Sequence, residues 1–265
     1  MFDSFYDLPE ELVEFCRAHD FQPTEKLPGG HCSKLYADQT RVLKVPFQGE
    51  EMDTGLLASR RIEAVGGPKI DAWSDDPPAL LMERLVPGCT LSERGLSPAE
   101  REEVFLSMAA KMRTLPTDGT MELADFLIEP QNCETVSRWR IELIEELTQT
   151  ATETTFLHND LHHGNILFDG TAWRPTDPKG VRGDPHYECV AFLRNPIHEL
   201  KEVEDLIGFT RSRLLSIAEA TGFSPWRIAA WGRLDMSDSG NYESTSPWER
   251  LGAVYKILIK EFQSV

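Results

Sequence analysis

The sequence predicts an α+β chain in two lobes, a small β-rich one over residues 1–86 and a larger, mostly helical one over 87–265. Three observations carry this expectation. Short apolar runs bounded by turn residues fill the stretch before Pro87-Gly88, helical periodicity dominates after it, and one hairpin signal, Asp169-Gly170, interrupts the helical part. A chain of 265 residues that is 40% hydrophobic is large enough for a substantial core.

In chain order, residues 8–19 read as a helix with Pro9 at its start and Leu8, Leu12 and Phe15 on one side. A hairpin follows, strand Cys32–Ala37 turning at Asp38-Gln39-Thr40 into strand Arg41–Val45. A helix around 50–65 ends at Gly66-Gly67 before Pro68. Strands are expected near 69–73 and 79–86, with Ser74-Asp75-Asp76-Pro77-Pro78 between them. Beyond Pro87-Gly88, Ser97-Pro98-Ala99-Glu100 is a capping box leading into Val104, Met108 and Met112 at four-residue spacing. A second helix covers about 133–150, with Val136, Trp139, Leu143 and Leu147 on one face. Strands Asn165–Asp169 and Ala172–Thr176 flank the Asp169-Gly170 turn, and the remaining residues look mostly helical.

Charge is the unusual quantity: 27 basic against 44 acidic residues give a formal −17. Such a surplus repels phosphate backbones, so nucleic acid is not an expected partner; it suits either a cationic ligand or an acidic surface. No apolar run approaches the roughly 18 residues of a membrane helix, and Met1–Asp7 lacks the basic and apolar regions of a signal peptide. Cys16, Cys32, Cys89, Cys133 and Cys189 are odd in number and form no CxxC pair, which points to free thiols and a cytoplasmic protein.

The most informative stretch is His158-Asn159-Asp160-Leu161-His162-His163-Gly164-Asn165, followed by Asp177-Pro178-Lys179-Gly180. Asp160 and Asn165 lie five apart in a polar loop that enters a strand. Asp177 lies just past the second strand of the same hairpin, and a hairpin brings its two ends together, so Asn165 and Asp177 should be neighbours. A carboxamide oxygen and a carboxylate make a hard-oxygen site suited to magnesium, which keeps several waters and takes further ligands from substrate phosphates. Asp160 is then free to accept a proton from an attacking hydroxyl. This is the division of labour of kinase-type phosphoryl transfer, in which HxDxxxxN supplies base and metal ligand and a later Asp holds the metal. The alternative, a metal hydrolase, needs HxHxDH; here Asp and His are exchanged. His158 is therefore read as holding the loop, and His162 and His163 as loop residues that could face a substrate.

These residues resemble the aminoglycoside phosphotransferase family of the kinase-like superfamily, and within it the streptomycin 6-phosphotransferase/hydroxyurea phosphotransferase branch. The match runs from Phe156 to Pro196, through LHNDLHHGNILFDG, WRPTDPKGVRGDPHYE and AFLRNP, with DPKG in place of the DFG of protein kinases. The resemblance implies a two-lobed protein-kinase-like fold, residues 1–86 being the nucleotide-binding lobe and 87–265 the catalytic and substrate-binding lobe. It implies an ATP site between the lobes, with Asp160 as catalytic base and Asn165 and Asp177 as magnesium ligands. Lys44, in Val42-Leu43-Lys44-Val45, takes the strand position that touches the phosphates; alternation puts it opposite Leu43 and Val45. Its acidic partner should come from the next helix, where Glu51 lies at the edge of the apolar arc. The loop 28–33, with Gly29, Gly30 and Ser33, sits where the nucleotide-covering loop belongs. Glu83 and Leu85, before Pro87-Gly88, match the inter-lobe connector whose backbone pairs with adenine. The implied reaction is ATP-dependent O-phosphorylation of a small hydroxylated, cationic molecule, an aminoglycoside of the streptomycin type. The acids Asp184, Glu188, Asp235, Asp238 and Glu243 could line its pocket, Asp184 and Glu188 foremost. A kinase for another small metabolite and a nucleotide-binding protein without activity are the alternatives. Oligomeric state is not legible.

Overall fold

The computed structural model describes residues 8–28, 33–47, 51–128, 137–236 and 242–263, with the side chains of 51–53 excepted. Helix α1 (Glu10–Ala18) begins after Pro9 and buries Leu12 and Cys16. Five strands, β1 (Glu25–Leu27), β2 (Ser33–Ala37), β3 (Arg41–Pro46), β4 (Ile70–Asp75) and β5 (Pro78–Glu83), form an antiparallel sheet in the order β1-β2-β3-β5-β4. The β2–β3 turn is tight because Asp38 Oδ1 accepts the backbone N–H groups of Thr40 and Arg41, both at 2.7 Å. Leu43 and Val45 pack with Leu12, Cys16 and Tyr36 under α1. The two-residue period then turns Lys44 to the opposite face of the sheet.

Between β3 and β4 runs α2 (Glu51–Ile62), continued by a 3-10 turn to Val65 and closed by Gly66 at φ +105°. The strands around it differ from expectation. The loop expected over 74–78 is only a tight turn at Asp76-Pro77, since Asp75 already pairs with Pro78. Likewise β5 ends at Glu83 rather than 86, where the chain leaves the ladder.

After β6 (Cys89–Thr90) the chain is mainly helical. Helix α3 (Pro98–Met112) starts at the predicted capping box: Glu100 N–H donates to Ser97 Oγ at 3.3 Å and Ser97 N–H to Glu100 Oε2 at 2.8 Å. Next come β7 (Met121–Glu122), α4 (Leu123–Ile128), α5 (Arg138–Gln149) and β8 (Thr155–Leu157). Then follow β9 (Ile166–Phe168), β10 (Trp173–Pro175) and β11 (Val181–Gly183). The last elements are α6 (Glu188–Leu193), α7 (Ile197–Lys201), α8 (Leu206–Thr221), α9 (Pro225–Leu234) and α10 (Pro247–Phe262). Two small sheets frame the loop 158–165, β10-β9-β6 and β7-β11-β8. Strands β1, β6, β7, β8 and β11 are two or three residues long, too short to display a period, and were not expected from sequence. The main helical core joins Phe105, Phe192, Leu214, Ile228 and Tyr255.

Helix α2 ties the two halves together. Its Ala58 and Ile62 pack with Met112 of α3 and Phe156 of β8. Gly180 sits at φ +71°, and a Cβ there would stand 2.4 Å from the Ala58 Cβ. Only glycine allows residues 177–180 to press so closely on α2, and that packing brings Asp177 beneath Lys44. Among the described residues, no helix is long and apolar enough to cross a membrane.

Candidate active site

The loop 158–165 is held from behind. His158 is fully buried; its Nε2 donates to the Thr176 carbonyl at 3.0 Å and its Nδ1 accepts the Asp160 N–H at 3.3 Å. Burial lowers its pKa to about 3, so the ring is neutral, as this donor–acceptor pattern requires. His163 is also buried, stacked on Phe192 with ring centroids 4.4 Å apart, so the expectation that it could face a substrate is corrected: it is a core residue. His162 is half-buried, its Nε2 3.7 Å from Asp160 Oδ1.

The hairpin closes as its sequence suggested. The Thr176 N–H donates to the Asn165 carbonyl at 2.8 Å, which places Asp177 beside Asn165. Asn165 Nδ2 donates to the Asp160 carbonyl at 2.9 Å and to Asp160 Oδ2 at 3.2 Å. This fixes the carboxamide and leaves Asn165 Oδ1 without a partner among the described residues. Asp177 takes a left-handed backbone, φ +59°, and Oδ1 of its carboxylate pairs with Lys44 Nζ. Its Oδ2 has no hydrogen bond among the described residues. One carboxylate oxygen and one carboxamide oxygen, on residues at the two ends of one hairpin, are therefore unengaged among the described residues, a donor set that fits a hard divalent cation. Burial pushes the Asp177 carboxyl up, but Lys44 outweighs it and holds the pKa below the usual value. Asp160 behaves oppositely: burial raises its pKa against the pull of His162 and Arg194.

Lys44, Asp160, Asn165 and Asp177 are thus brought together from β3, the loop 158–165 and the far end of the β9–β10 hairpin. Glu51 opens α2, but its side chain lies outside the described residues, as do Gly29, Gly30, Asp238 and Cys133. Ser33 begins β2 and is buried opposite Pro46. Glu83 ends β5, its carboxylate taken by the Lys69 N–H at 3.1 Å and Arg174 Nη2 at 3.2 Å; Leu85 follows in the connector.

Asp184 and Glu188 do not face a ligand, which corrects the expectation for both. Asp184 is 4% exposed and accepts from His186 Nδ1 at 2.5 Å, Trp231 Nε1 at 2.8 Å and Arg227 Nε at 2.9 Å. Burial raises its pKa, and these donors more than reverse the effect, so its negative charge is already satisfied. Glu188 lies behind the loop, where Oε2 accepts the His158 N–H at 2.7 Å. Burial pushes its pKa up to about 8. A folded-state pKa above the unfolded one adds stability in full below about pH 4.5 and loses it progressively up to about pH 8. Glu188→Gln keeps the acceptor without the ionisation. Its stability relative to wild type should be unchanged at pH 4.5 and rise by about 3–5 kcal/mol at pH 8 in denaturant titrations. Parallel pH profiles for the two proteins would remove Glu188 as the source.

A cavity of about 340 Å³ opens beside Asp160, walled by residues of α4, α5 and the end of α9 together with Asn159, Lys179, Tyr187 and Arg194. Arg194 is a functional residue that no sequence motif marks. Its Nη2 lies 3.1 Å from Asp160 Oδ1 and its Nη1 3.1 Å from Asp235 Oδ2. The available signal was an arginine closing the apolar run Val190–Leu193, since a buried guanidinium needs carboxylates.

A sequence profile described as "Aminoglycoside/hydroxyurea antibiotic resistance kinase" matches residues 42–244, which include the loop, the hairpin and Lys44. Streptomycin 3''-kinase of Klebsiella pneumoniae is 32% identical over 91 residues, 32% of this chain and 34% of that protein. The match therefore spans about a third of the length of this relative. Among solved structures, a thermostable mutant of aminoglycoside phosphotransferase APH(4)-Ia superposes with a TM-score of 0.60 at 15% identity, over 97% of this chain and 100% of that one. Aminoglycoside phosphotransferase APH(3'')-Id from Streptomyces rimosus, in complex with ADP and streptomycin, gives 0.57 at 18% identity over 85% and 96%. A choline/ethanolamine kinase family protein from Mesorhizobium loti gives 0.56 at 14% identity over 90% and 89%. At these identities the likeness shows a shared kinase-like fold.

Proposed function

The chain belongs to the aminoglycoside/hydroxyurea antibiotic resistance kinase family, and from that membership we propose that it is an ATP-dependent O-phosphotransferase acting on a small hydroxylated molecule. An aminoglycoside of the streptomycin type is the acceptor this reading favours, with antibiotic resistance as the outcome. The observation that carries the proposal is the convergence of Lys44, Asp160, Asn165 and Asp177 at one place between the sheet and the helical half.

Lys44 binds the ATP phosphates, and Asn165 Oδ1 with the Asp177 carboxylate would hold magnesium. When bound, magnesium neutralises phosphate charge and aligns the transferring group. Asp160 orients the acceptor hydroxyl and takes its proton. Arg194 supports the ionised form of Asp160 against burial, and Asn165 fixes the direction of its carboxylate. Because the transition state is loose, positioning and charge neutralisation supply most of the acceleration. The free thiols of Cys16, Cys89 and Cys189 and the need for ATP favour a cytoplasmic setting.

A second reading, a kinase for a less cationic hydroxylated metabolite, is favoured by one observation. The described cavity wall carries Arg140, Lys179 and Arg194 against the carboxylates Asp160 and Asp235. The global −17 is thus not gathered at this wall. ADP release with magnesium and ATP, measured across streptomycin, other aminoglycosides and neutral cyclitols, separates the readings. Streptomycin-dependent ADP release supports the first, and release with neutral acceptors alone supports the second. ATP binding without ADP release on any acceptor supports a binding protein.

A further inference from the structure

The cavity beside Asp160 contains a buried side chain that the catalytic arrangement does not use. Asn159 is 5% exposed and lines the cavity, yet among the described residues neither Nδ2 nor Oδ1 of its carboxamide has a hydrogen-bond partner. Its backbone sits at φ +67°, a left-handed conformation that asparagine tolerates better than most residues. A buried amide with no partner forfeits its hydration without compensation, so this one calls for a hydrogen-bonding ligand.

Arg194, Asp160 and Asp235, three of the charged groups around it, are paired with one another. Arg194 bridges Asp160 and Asp235 at 3.1 Å each, and the Tyr187 hydroxyl donates to Asp235 Oδ1 at 2.7 Å. Arg140 donates to the carbonyls of Leu234 at 2.6 Å and Met236 at 3.2 Å. Among the described residues both carboxylates of the wall are thus shared with Arg194, so an incoming ammonium would compete with a guanidinium for each. What it offers is one donor and one acceptor on a single planar group, next to the carboxylate that receives the acceptor's proton.

We propose that Asn159 is a specificity-determining residue and that this cavity reads its acceptor by hydrogen bonds. The Asn159 carboxamide binds a neutral vicinal diol of a sugar or cyclitol ring, Nδ2 donating to one oxygen and Oδ1 accepting from the neighbouring hydroxyl. Ammonium groups of the acceptor stay outside this cavity. The inference rests on the phosphotransferase reading for its orientation, since it places the diol beside the hydroxyl that Asp160 deprotonates.

Two variants test it. Asn159→Gly removes the carboxamide and accepts the left-handed backbone without strain; Asn159→Asp keeps the shape and replaces the donor by a negative charge. Steady-state kinetics with magnesium and ATP, using streptomycin and myo-inositol as acceptors, should show the acceptor KM rising about tenfold in Asn159→Gly while the KM for ATP stays within twofold. Asn159→Asp should shift the kcat/KM ratio towards streptomycin, the cationic probe. Calorimetric titration of the same two compounds reads the cavity without turnover, and the glycine variant should weaken binding by a similar factor. An unchanged acceptor KM and affinity in Asn159→Gly, or equal rises for acceptor and ATP, overturns the proposal while leaving the phosphotransferase reading intact. Absence of ADP release with every acceptor, but with diol binding that depends on Asn159, overturns the reading and leaves the site.

Discussion

Asp160→Ala should lower ATP-dependent turnover on the order of 10² or more while the protein stays folded. The fold tolerates the change because the carboxylate's neighbours keep other partners. Arg194 retains Asp235 at 3.1 Å, and Asn165 Nδ2 retains the Asp160 main-chain carbonyl at 2.9 Å, which is independent of the side chain. The expected stability loss is therefore modest, about 1–2 kcal/mol for the lost hydrogen bonds. Asp160→Asn sharpens the test, since it preserves shape but cannot accept the acceptor's proton, and should be nearly as inactive. The wild-type pH profile supplies an independent readout. Burial raises the Asp160 pKa, so the acid limb of kcat/KM should fall at a pH above the ordinary carboxylate value and vanish in the variants' residual activity. Near-wild-type phosphorylation by purified Asp160→Ala would mean that another group is the base.

What the sequence disclosed and what it hid divide by distance along the chain. The neighbouring of Asn165 and Asp177 follows from one hairpin, and β9 and β10 do pair with Trp173 opposite Phe168. That Lys44 faces away from the core under α1 follows from alternation against Leu43 and Val45. The capping box at Ser97 is local in the same sense. By contrast, the partners of Asp184 lie at Arg227 and Trp231, more than 40 residues away, and no local pattern distinguishes it from a ligand-facing acid. Glu188 looked equally available, yet the chain folds it behind its own loop, 30 residues upstream. Arg194 joins Asp160 to Asp235 across similar separations, so its place becomes visible only when α6 and the end of α9 are packed. The unsatisfied carboxamide of Asn159 is likewise a property of burial, which composition and spacing do not report.

Asp177→Ala is expected to abolish magnesium-dependent nucleotide binding and also to cost stability, and the two effects can be separated. Lys44 is only 9% exposed, and Asp177 is its ion-pair partner among the described residues. Removing the carboxylate takes away the counter-charge that the described residues give a buried ammonium, and because Asp177 itself is 39% exposed the loss should be about 1–3 kcal/mol, below that of a fully buried pair. Removing both charges is far gentler, because each ion's desolvation penalty disappears with it. The double variant Lys44→Met with Asp177→Asn, whose asparagine also tolerates the φ of +59°, should recover most of the lost stability in denaturant titrations. It should nevertheless fail to bind ATP in the presence of magnesium, because the phosphate contact and the charged metal ligand are both gone. Titration of ATP with magnesium and again with chelator gives the decisive comparison. Wild type should bind more tightly with the metal, and Asp177→Ala should show no difference between the two. If Asp177→Ala retained the magnesium-dependent gain in affinity, Asp177 would be a structural counter-ion to Lys44 rather than a ligand. The fold would then hold the pair together for stability alone, and the metal would have to rest on Asn165 and groups other than Asp177.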